Sequence, residues 1–272
     1  MNLSTDYKIT WCPGCPNHMI LESSKRAFNS LIKKGYKKND FVIVAGIGCH
    51  GKIFDYLNLS GFYGLHGRAL ASAFGIKIGN PNLKVVCYAG DGDTYSEGME
   101  HFIHACRNNS DMTLIVHDNQ SFSLTTGQIT PTSQLGFKSK IEPNGNEIHP
   151  LNPIKLALVS GASFVARCDA RNIEHTAKII KEAIEHKGFA FVEILQTCII
   201  FNPSLDHARK YMYKVDNGSN MKRAMKLADE WDYATRNGRI PIGVLYKHTR
   251  QTFEEKHDVL VSLMKKKVGW KG

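Results

Sequence analysis

The chain has 272 residues, of which 42% are hydrophobic and 22% are charged. This balance is typical of one large folded domain, or of one domain with a smaller appendage, and it excludes a disordered chain and a disulfide-rich miniprotein. The 35 basic and 25 acidic side chains give a net charge of +10. Such a charge suits nucleic acid, phosphate-bearing ligands or an acidic protein partner without choosing among them.

The sequence carries no sign of membrane insertion or export. No stretch approaches the roughly 18 uninterrupted apolar residues of a membrane span, and residues 1–8 lack the apolar core of a signal peptide. We therefore expect a soluble, cytoplasmic protein. Its seven cysteines are an odd number, and without a secretion signal they favour metal binding or burial over a disulfide framework.

Short β-branched apolar runs alternate with helix-length amphipathic stretches through roughly the first 200 residues, which is the pattern of repeated βα units. This pattern predicts an α/β fold with a mostly parallel sheet flanked by helices on both faces. The predicted strands are 41–45, 84–89, 112–117, 163–167 and 189–195. The predicted helices lie near 17–34, 67–78, 94–109, 152–160 and 172–186. Each helix is long enough to cross over between parallel neighbours.

Two regions depart from this alternation. Segment 119–150 is rich in Ser, Thr, Gly, Pro and Asn and is far longer than an ordinary connection, so we interpret it as functional. After the last predicted strand come helices, a proline-bounded apolar run at 240–246 and a basic tail at 265–271, which is most simply a solvated end. We therefore expect one domain at 1–202 and a helical C-terminal extension, 203–272, packed on it.

The strand at 84–89 runs into the tight turn Gly90-Asp91-Gly92-Asp93. Such a turn lies at the carboxyl end of a parallel strand, where open α/β sheets bind their ligands. Glycine lets the backbone approach a phosphate closely, and the helix that follows favours negative charge at its amino terminus. Two aspartates beside a diphosphate make sense only with a cation between them. By itself, Gly-Asp-Gly also describes an ordinary turn.

The next predicted strand ends in Asp118-Asn119, so we expect Asn119 at the same sheet edge as Asp91. A carboxylate and an amide oxygen are hard ligands that suit Mg²⁺, with diphosphate oxygens and a backbone carbonyl completing the shell. Gly-Asp-Gly followed one helix and one strand later by an asparagine resembles the thiamine diphosphate fingerprint. The alternative is a coincidental turn and a capping asparagine.

Four cysteines lie at predicted strand ends or in loops, where thiolates from separate segments can converge. They are Cys12, Cys15, Cys49 and Cys198. Four thiolates in a reduced cytoplasm suit a 4Fe-4S cluster or zinc. A lone Cys-x-x-Cys fits zinc or a redox dithiol nearly as well, so the spacing leaves these alternatives open. The others fall within predicted elements and are interpreted as buried structural thiols: Cys87, Cys106 and Cys168.

Together these residues resemble the β subunit of the 2-oxoacid:ferredoxin oxidoreductases, thiamine diphosphate enzymes that include pyruvate and 2-oxoglutarate ferredoxin oxidoreductase. The resemblance runs nearly end to end, from Trp-Cys-Pro-Gly-Cys at 11–15 to Ile-Pro-Ile-Gly-Val at 240–244. Between them lie Gly-Ile-Gly-Cys at 46–49, His-Gly-Arg-Ala at 66–69, Gly-Asp-Gly-Asp at 90–93, Ile-His-Ala at 103–105, Leu-Thr-Thr-Gly-Gln at 124–128 and Pro-Thr at 131–132.

The resemblance implies a thiamine diphosphate-binding fold with three cofactors: thiamine diphosphate, Mg²⁺ and one 4Fe-4S cluster. The implied cluster ligands are Cys12, Cys15, Cys49 and Cys198. The implied Mg²⁺ ligands are Asp91, Asn119 and the carbonyl of Ser121. The residues implied to line the thiamine diphosphate are Ile47, Gly48, Cys49, His50, Gly92, Asp93, Ser123 and Leu124. Lys52 stands where family members place a basic residue that can meet a substrate carboxylate, with a solvated loop lysine as the open alternative.

The implied activity is coenzyme A-dependent oxidative decarboxylation of a 2-oxoacid, either 2-oxoglutarate or pyruvate, with electrons passed to ferredoxin. The positive net charge would favour encounter with an acidic ferredoxin or with coenzyme A phosphates. In such enzymes the glutamate that drives the aminopyrimidine tautomer comes from a partner domain. An α subunit, or an α and a γ subunit, is therefore implied as partner, and neither nucleic acid nor a membrane is expected.

Three departures from the family pattern leave every implied ligand in place. Pro16 follows the second cysteine where Gly is usual, residues 96–101 replace Ile-Gly-Gly-Asn-His, and Phe122-Ser123 replaces Tyr-Gly. They concern the substrate range and the thiazolium pocket.

Two alternatives stay open. A cluster-free thiamine diphosphate decarboxylase or synthase half-subunit leaves the four loop cysteines unexplained. Against a zinc-ribbon nucleic-acid-binding protein, the basic residues are scattered, and aromatic residues do not interleave with them. Iron with sulfide, neither metal, or zinc alone would separate the three interpretations.

Overall fold

The computed structural model describes residues 2–216 and 218–266, and within them the core is an eight-stranded sheet. Its strands are β1 (Phe41–Ala45), β2 (Ser60–Tyr63), β3 (Lys84–Gly90), β4 (Met112–Asp118), β5 (Phe164–Asp169), β6 (Ala190–Leu195), β7 (Met212–Lys214) and β8 (Ile240–Lys247). The strand order is β2-β1-β3-β4-β6-β5-β8-β7. Strands β1 to β6 are parallel, whereas β8 runs antiparallel to β5 and parallel to β7. The predicted mostly parallel α/β fold is confirmed.

Helices cover both faces of this sheet. They are α1 (Asn17–Lys33), α2 (Ile53–Tyr56), α3 (Ala69–Gly79), α4 (Met99–Asn108), α5 (Pro153–Val159), α6 (Ile173–Glu185), α7 (Met221–Asp229) and α8 (Asp258–Lys266). Side chains of α1 and α6 share one hydrophobic cluster with the sheet, and side chains of α3, α4, α5 and α7 share the other. Among the described residues, none of the helices combines the length and the apolar character that crossing a membrane requires.

Strand β3 shows why the central strands are apolar at every position. Val86 and Tyr88 belong to the cluster of α1 and α6, whereas Val85 and Cys87 belong to the cluster of α3 and α4. Because successive side chains of a strand point to opposite faces, a strand covered on both sides has no solvent-facing row. Uninterrupted apolar runs therefore predicted β1, β3, β4, β5 and β6 at almost their observed bounds.

Two elements differ from the prediction at the edge that carries β2. Strand β2 was not predicted, because all four of its side chains are exposed and its sequence lacks apolar alternation. The predicted helix at 94–109 is divided into a π-helical turn, Asp93–Glu97, and α4, which begins at Met99. Gly98 joins the two, and a Cβ on it would lie 2.7 Å from the carbonyl oxygen of Asp93.

The segment after residue 202 is only partly helical, unlike the expected helical extension. It contains α7 and α8, but it also adds β7 and β8 to the same sheet. Pro241 is compatible with β8 because the β5 ladder begins at Gly243, so the N–H that proline lacks is not needed by β5. Of the predicted basic tail, residues 267–271 lie outside the described residues.

Segment 119–150 contains no helix or strand among its described residues, and buried polar contacts give it order. The side-chain amide of Asn146 donates to the carbonyl of Ser133 at 2.9 Å and to the carbonyl of Ile148 at 3.0 Å. The hydroxyl of Ser133 in turn donates to the carbonyl of Gln120 at 2.7 Å. The segment is thus a cross-linked loop that begins at the carboxyl end of β4.

Candidate active site

A cavity with about 440 Å³ of empty space opens at the carboxyl ends of β1, β3 and β4. Three loops form its walls, one after each of these strands. The lining includes every residue that the resemblance assigned to thiamine diphosphate or Mg²⁺: Ile47, Gly48, Cys49, His50, Asp91, Gly92, Asp93, Asn119, Ser121, Ser123 and Leu124. The fold therefore brings the whole predicted set together at one place, which we name the first cavity.

Asp93 is a buried anion in this cavity. Its Oδ1 accepts a hydrogen bond from the backbone N–H of Gly67 at 2.7 Å and lies 3.1 Å from Nδ1 of His66. Its Oδ2 lies 3.6 Å from Nε2 of His50. Burial by itself would raise the pKa of Asp93, but the interactions with His50 and His66 together outweigh burial and hold that pKa well below its usual range. The hydrogen bond to Asp93 raises the pKa of His66 in return.

Two glycines make room for the ring of His50. A Cβ on Gly48 would lie 2.7 Å from Cε1 of that ring, and a Cβ on Gly90 would lie 2.7 Å from its Nδ1. Gly48 also has a φ of +148°, which side chains rarely adopt. Since the ring occupies the space left by both glycines, His50 is fixed with Nε2 directed toward Asp93.

Asp91 and Asn119 present oxygen atoms at the same edge of the sheet. The Oδ2 atom of Asp91 accepts hydrogen bonds from Oγ1 of Thr130 at 2.6 Å and Oγ1 of Thr132 at 3.0 Å. The Oδ1 atom of Asn119 accepts one from the backbone N–H of Ser121 at 3.0 Å. Burial raises the pKa of Asp91 to about 6 against the effect of the two threonine hydroxyls. A cation here would keep Asp91 ionised, and a carboxylate, an amide and a carbonyl are donors that fit Mg²⁺.

A second cavity, with about 650 Å³ of empty space, adjoins the first. It is lined by the four cysteines that sequence reasoning singled out, Cys12, Cys15, Cys49 and Cys198. Lys52 lines this second cavity and not the first. Both cavities share the residues of their common wall, Cys49, Asn119, Ser123 and Leu124.

The four sulfurs influence one another electrostatically. Burial raises the pKa of Cys15 to about 11, against a hydrogen bond from the backbone of Asn17, and the sulfurs of Cys49, Cys198 and Cys12 raise it further. Burial also raises the pKa of Cys49, and the charge of Lys52 opposes that shift. Bound cations would reverse this repulsion, because metal ligation takes the thiolate form.

The sulfurs surround a space and do not meet at a point. Within residues 2–216 and 218–266, no three Cys, His, Asp or Glu side chains are close enough to share one metal ion. A zinc ion draws its sulfur ligands to about 2.3 Å, whereas a 4Fe-4S cluster is held by four thiolates on separate irons. The four-thiol lining of the second cavity fits a cluster.

The other three cysteines lie apart from this cavity. Cys87, Cys106 and Cys168 are fully buried within the two hydrophobic clusters or on the strands between them. Burial raises the pKa of each thiol. Their surroundings agree with a structural role.

Sequence reasoning assigned no role to two residues that support these loops. The indole N–H of Trp11 donates to the carbonyl of Cys49 at 2.6 Å, and its ring packs edge-on against Tyr56. Nδ1 of His117 hydrogen-bonds Oδ1 of Asn17 at 2.8 Å, and burial lowers the pKa of this histidine well below its usual value. The position of Trp11 beside the Cys-x-x-Cys hairpin was a usable signal, whereas His117 looked like an ordinary core residue.

Comparisons with known proteins follow the same division of the chain. Residues 46–194 match the family described as thiamine pyrophosphate enzyme, C-terminal TPP binding domain. Residues 198–262 match the family described as the C-terminal part of the pyruvate ferredoxin oxidoreductase beta chain.

Individual relatives are similar over most of the chain. The 2-oxoacid:ferredoxin oxidoreductase subunit beta of Saccharolobus solfataricus is 40% identical over 260 residues, which cover 90% of this chain and 84% of that protein. The 2-oxoglutarate synthase subunit KorB of Archaeoglobus fulgidus is 45% identical over 188 residues, 69% of each chain. A solved structure, the 2-oxoglutarate:ferredoxin oxidoreductase from Magnetococcus marinus with 2-oxoglutarate, coenzyme A and succinyl-CoA bound, matches with a TM-score of 0.88 and 34% identity, covering 99% of this chain and 91% of that chain.

Proposed function

Because the chain belongs to the β-subunit family of the 2-oxoacid:ferredoxin oxidoreductases, we propose that it binds thiamine diphosphate, Mg²⁺ and one 4Fe-4S cluster in its two cavities. The overall reaction consumes a 2-oxoacid, coenzyme A and two oxidised ferredoxins, and it yields an acyl-CoA, CO₂, two reduced ferredoxins and a proton. The observation that carries the proposal is the common wall of the two cavities, which includes Cys49, Asn119 and Ser123.

In the first cavity, Asp91, Asn119 and the carbonyl of Ser121 would hold Mg²⁺ and through it the diphosphate. When bound, thiamine diphosphate supplies the electron sink for decarboxylation. The chain itself supplies close backbone approach at Gly92 and a fixed anion at Asp93. That anion orients His50 and His66, whose ring nitrogens are then available for hydrogen bonds or proton transfer at the cavity wall.

In the second cavity, Cys12, Cys15, Cys49 and Cys198 would hold the cluster, which accepts electrons singly. Lys52 lines the same cavity, and its proposed contact with a substrate carboxylate remains a prediction. The net charge of +10 would favour encounter with an acidic ferredoxin.

Partner subunits complete the proposed active site. Among the described residues that line the first cavity, the carboxylates are those of Asp91 and Asp93, and none belongs to a glutamate. The glutamate that acts on the aminopyrimidine would therefore come from an α subunit, with or without a γ subunit. For the substrate we propose 2-oxoglutarate or pyruvate. The name of the Archaeoglobus relative and the 2-oxoglutarate bound in the Magnetococcus structure favour 2-oxoglutarate.

The test is metal analysis of the chain, purified without oxygen together with its partner subunit. We expect about four irons per chain with matching sulfide and visible absorbance. The variant Cys12→Ala/Cys198→Ala should lose the iron, whereas the control Cys106→Ala/Cys168→Ala, which removes two buried thiols, should keep it.

Each other outcome names a different protein. Zinc alone would support a zinc protein, and thiamine diphosphate binding without any metal at the cysteines would support a cluster-free decarboxylase. With iron present, ferredoxin reduction should require a 2-oxoacid, coenzyme A and Cys198.

A further inference from the structure

Arg236 is a buried cation in the segment between α7 and β8. Only 9% of its surface is exposed, and it forms no salt bridge among residues 2–216 and 218–266. Burial lowers the pKa of its guanidinium to about 10, and the more distant charge of Asp118 offsets this only in part. A buried cation without a hydrogen-bonded counter-ion costs stability. The contacts of Arg236 show what its retention achieves.

The donors of Arg236 are directed at the loop that follows β4. Its Nε and Nη2 donate to Oε1 of Gln120 at 2.9 and 2.7 Å. Its Nη2 also donates to Oδ1 of Asn202 at 3.1 Å, and its Nη1 donates to Ser204 at 2.9 Å. The side-chain amide of Asn202 then donates to the carbonyl of Asn119 at 3.0 Å. Arg236 thus reaches this loop directly and through one intermediary.

Gln120 has an unusual backbone conformation between two proposed Mg²⁺ ligands. Its φ is +55°, in the left-handed region that residues other than glycine seldom occupy. Its neighbours Asn119 and Ser121 both line the first cavity, whereas Gln120 is fully buried outside that lining. Such a conformation persists only where surrounding contacts over-determine it.

We propose that Arg236 is a positioning residue that locks the left-handed turn at Gln120 and thereby directs Asn119 and Ser121 into the first cavity. This inference rests on the proposed function, which makes those two residues Mg²⁺ ligands. It also gives the C-terminal part of the chain a task at the cofactor site. Arg236 lies in the region that matches the second family, and Gln120 lies in the region that matches the first.

The first test is amide hydrogen exchange in the full-length chain without cofactors. Hydrogen bonds from a charged donor are stronger than neutral ones, so Arg236→Met should accelerate exchange at Gln120 and Ser121 by about tenfold or more. Arg236→Lys, which keeps the charge but not the planar fork, should give an intermediate rate. The matched control is Arg250→Met, because Arg250 also lies in the C-terminal segment and donates to a backbone carbonyl, that of Cys106, at 2.8 Å.

The second test is the Kd for Mg²⁺ and thiamine diphosphate in the complex purified with its partner subunit. Arg236→Met should weaken binding by about tenfold while iron content stays unchanged, and Arg250→Met should leave the Kd unchanged. Exchange in 119–121 within twofold of wild type, or equal acceleration by Arg250→Met, would overturn the proposal. If Arg236→Met fails to fold, the same limits apply to Arg236→Lys. If exchange responds as expected but the wild-type complex binds no thiamine diphosphate, the positioning role stands and the proposed function fails.

Discussion

Replacing Gly46 with alanine tests the electrostatic design of the first cavity. The backbone of Gly46 follows β1 with an ordinary negative φ, so alanine itself causes no backbone strain there. Its Cβ, however, would lie 1.8 Å from Oδ2 and 2.7 Å from Cγ of Asp93. Because Asp93 is held by the N–H of Gly67 and by His66, its carboxylate can move away only by weakening those contacts.

The expected cost has two parts. Overpacking a well-packed interior costs about 1–3 kcal/mol, and loss of a hydrogen bond to a charged acceptor costs about 1.5–3 kcal/mol. We therefore expect Gly46→Ala to destabilise the fold by about 3–5 kcal/mol. At roughly 2–4 °C per kcal/mol for a chain of this size, the midpoint of thermal unfolding should fall by about 10 °C.

The assay compares Gly46→Ala with the matched control Gly75→Ala. Gly75 lies within α3, and a Cβ on it would meet nothing within 4 Å, so alanine should stabilise the helix by about 0.5–1 kcal/mol. A second readout is an NMR titration of His66, whose pKa should fall toward its ordinary value once Asp93 is displaced. Stability within about 0.5 kcal/mol of wild type, together with an unchanged His66 pKa, would refute the reasoning.

Two further predictions concern charge. The pair Arg167 and Glu193 is fully buried with an Nε to Oε2 distance of 2.6 Å, so Arg167→Met should cost about 3–5 kcal/mol by leaving a buried carboxylate without its cation. A lower urea midpoint with an unchanged m-value would show this, and an unchanged midpoint would contradict it. Because Asp93 raises the pKa of His66 above 6.5, protonated His66 stabilises the fold fully below pH 6.5, and this stabilisation is lost as pH rises through the raised pKa. The stability difference between wild type and His66→Gln should therefore shrink above that pH, and a difference independent of pH would exclude this linkage.

The sequence predicted the parallel centre of the sheet because burial on two faces leaves an unmistakable pattern. Strands β3 and β4 are buried at almost every position, and their apolar runs ended close to the observed residues. Strand β2 left no such pattern, since Phe62 and Tyr63 are exposed at the sheet edge. The run at 240–246 was recognised, but its place beside β5 depends on a pairing between distant parts of the chain.

The site was predictable where chemistry depends on residue type at a strand end. Asp91 and Asn119 come together because parallel strands end at one edge, a consequence that needs only the strand assignment. The contacts of Thr130 with Asp91, and of Arg236 with Gln120, left no comparable signal. Thr130 lies in a loop without periodicity, and Arg236 is brought to Gln120 only by tertiary folding.

The antiparallel pairing of β8 with β5 also affects how the chain is made. β5 is a fully buried strand, yet its partner on one side, β8, begins only at Ile240. At a synthesis rate of about 5–20 residues per second, β5 leaves the ribosome several seconds before that partner does. During this interval, the open backbone edge of β5 can pair with any other exposed strand. The last strands to be synthesised therefore protect the nascent chain from aggregation as well as completing the sheet.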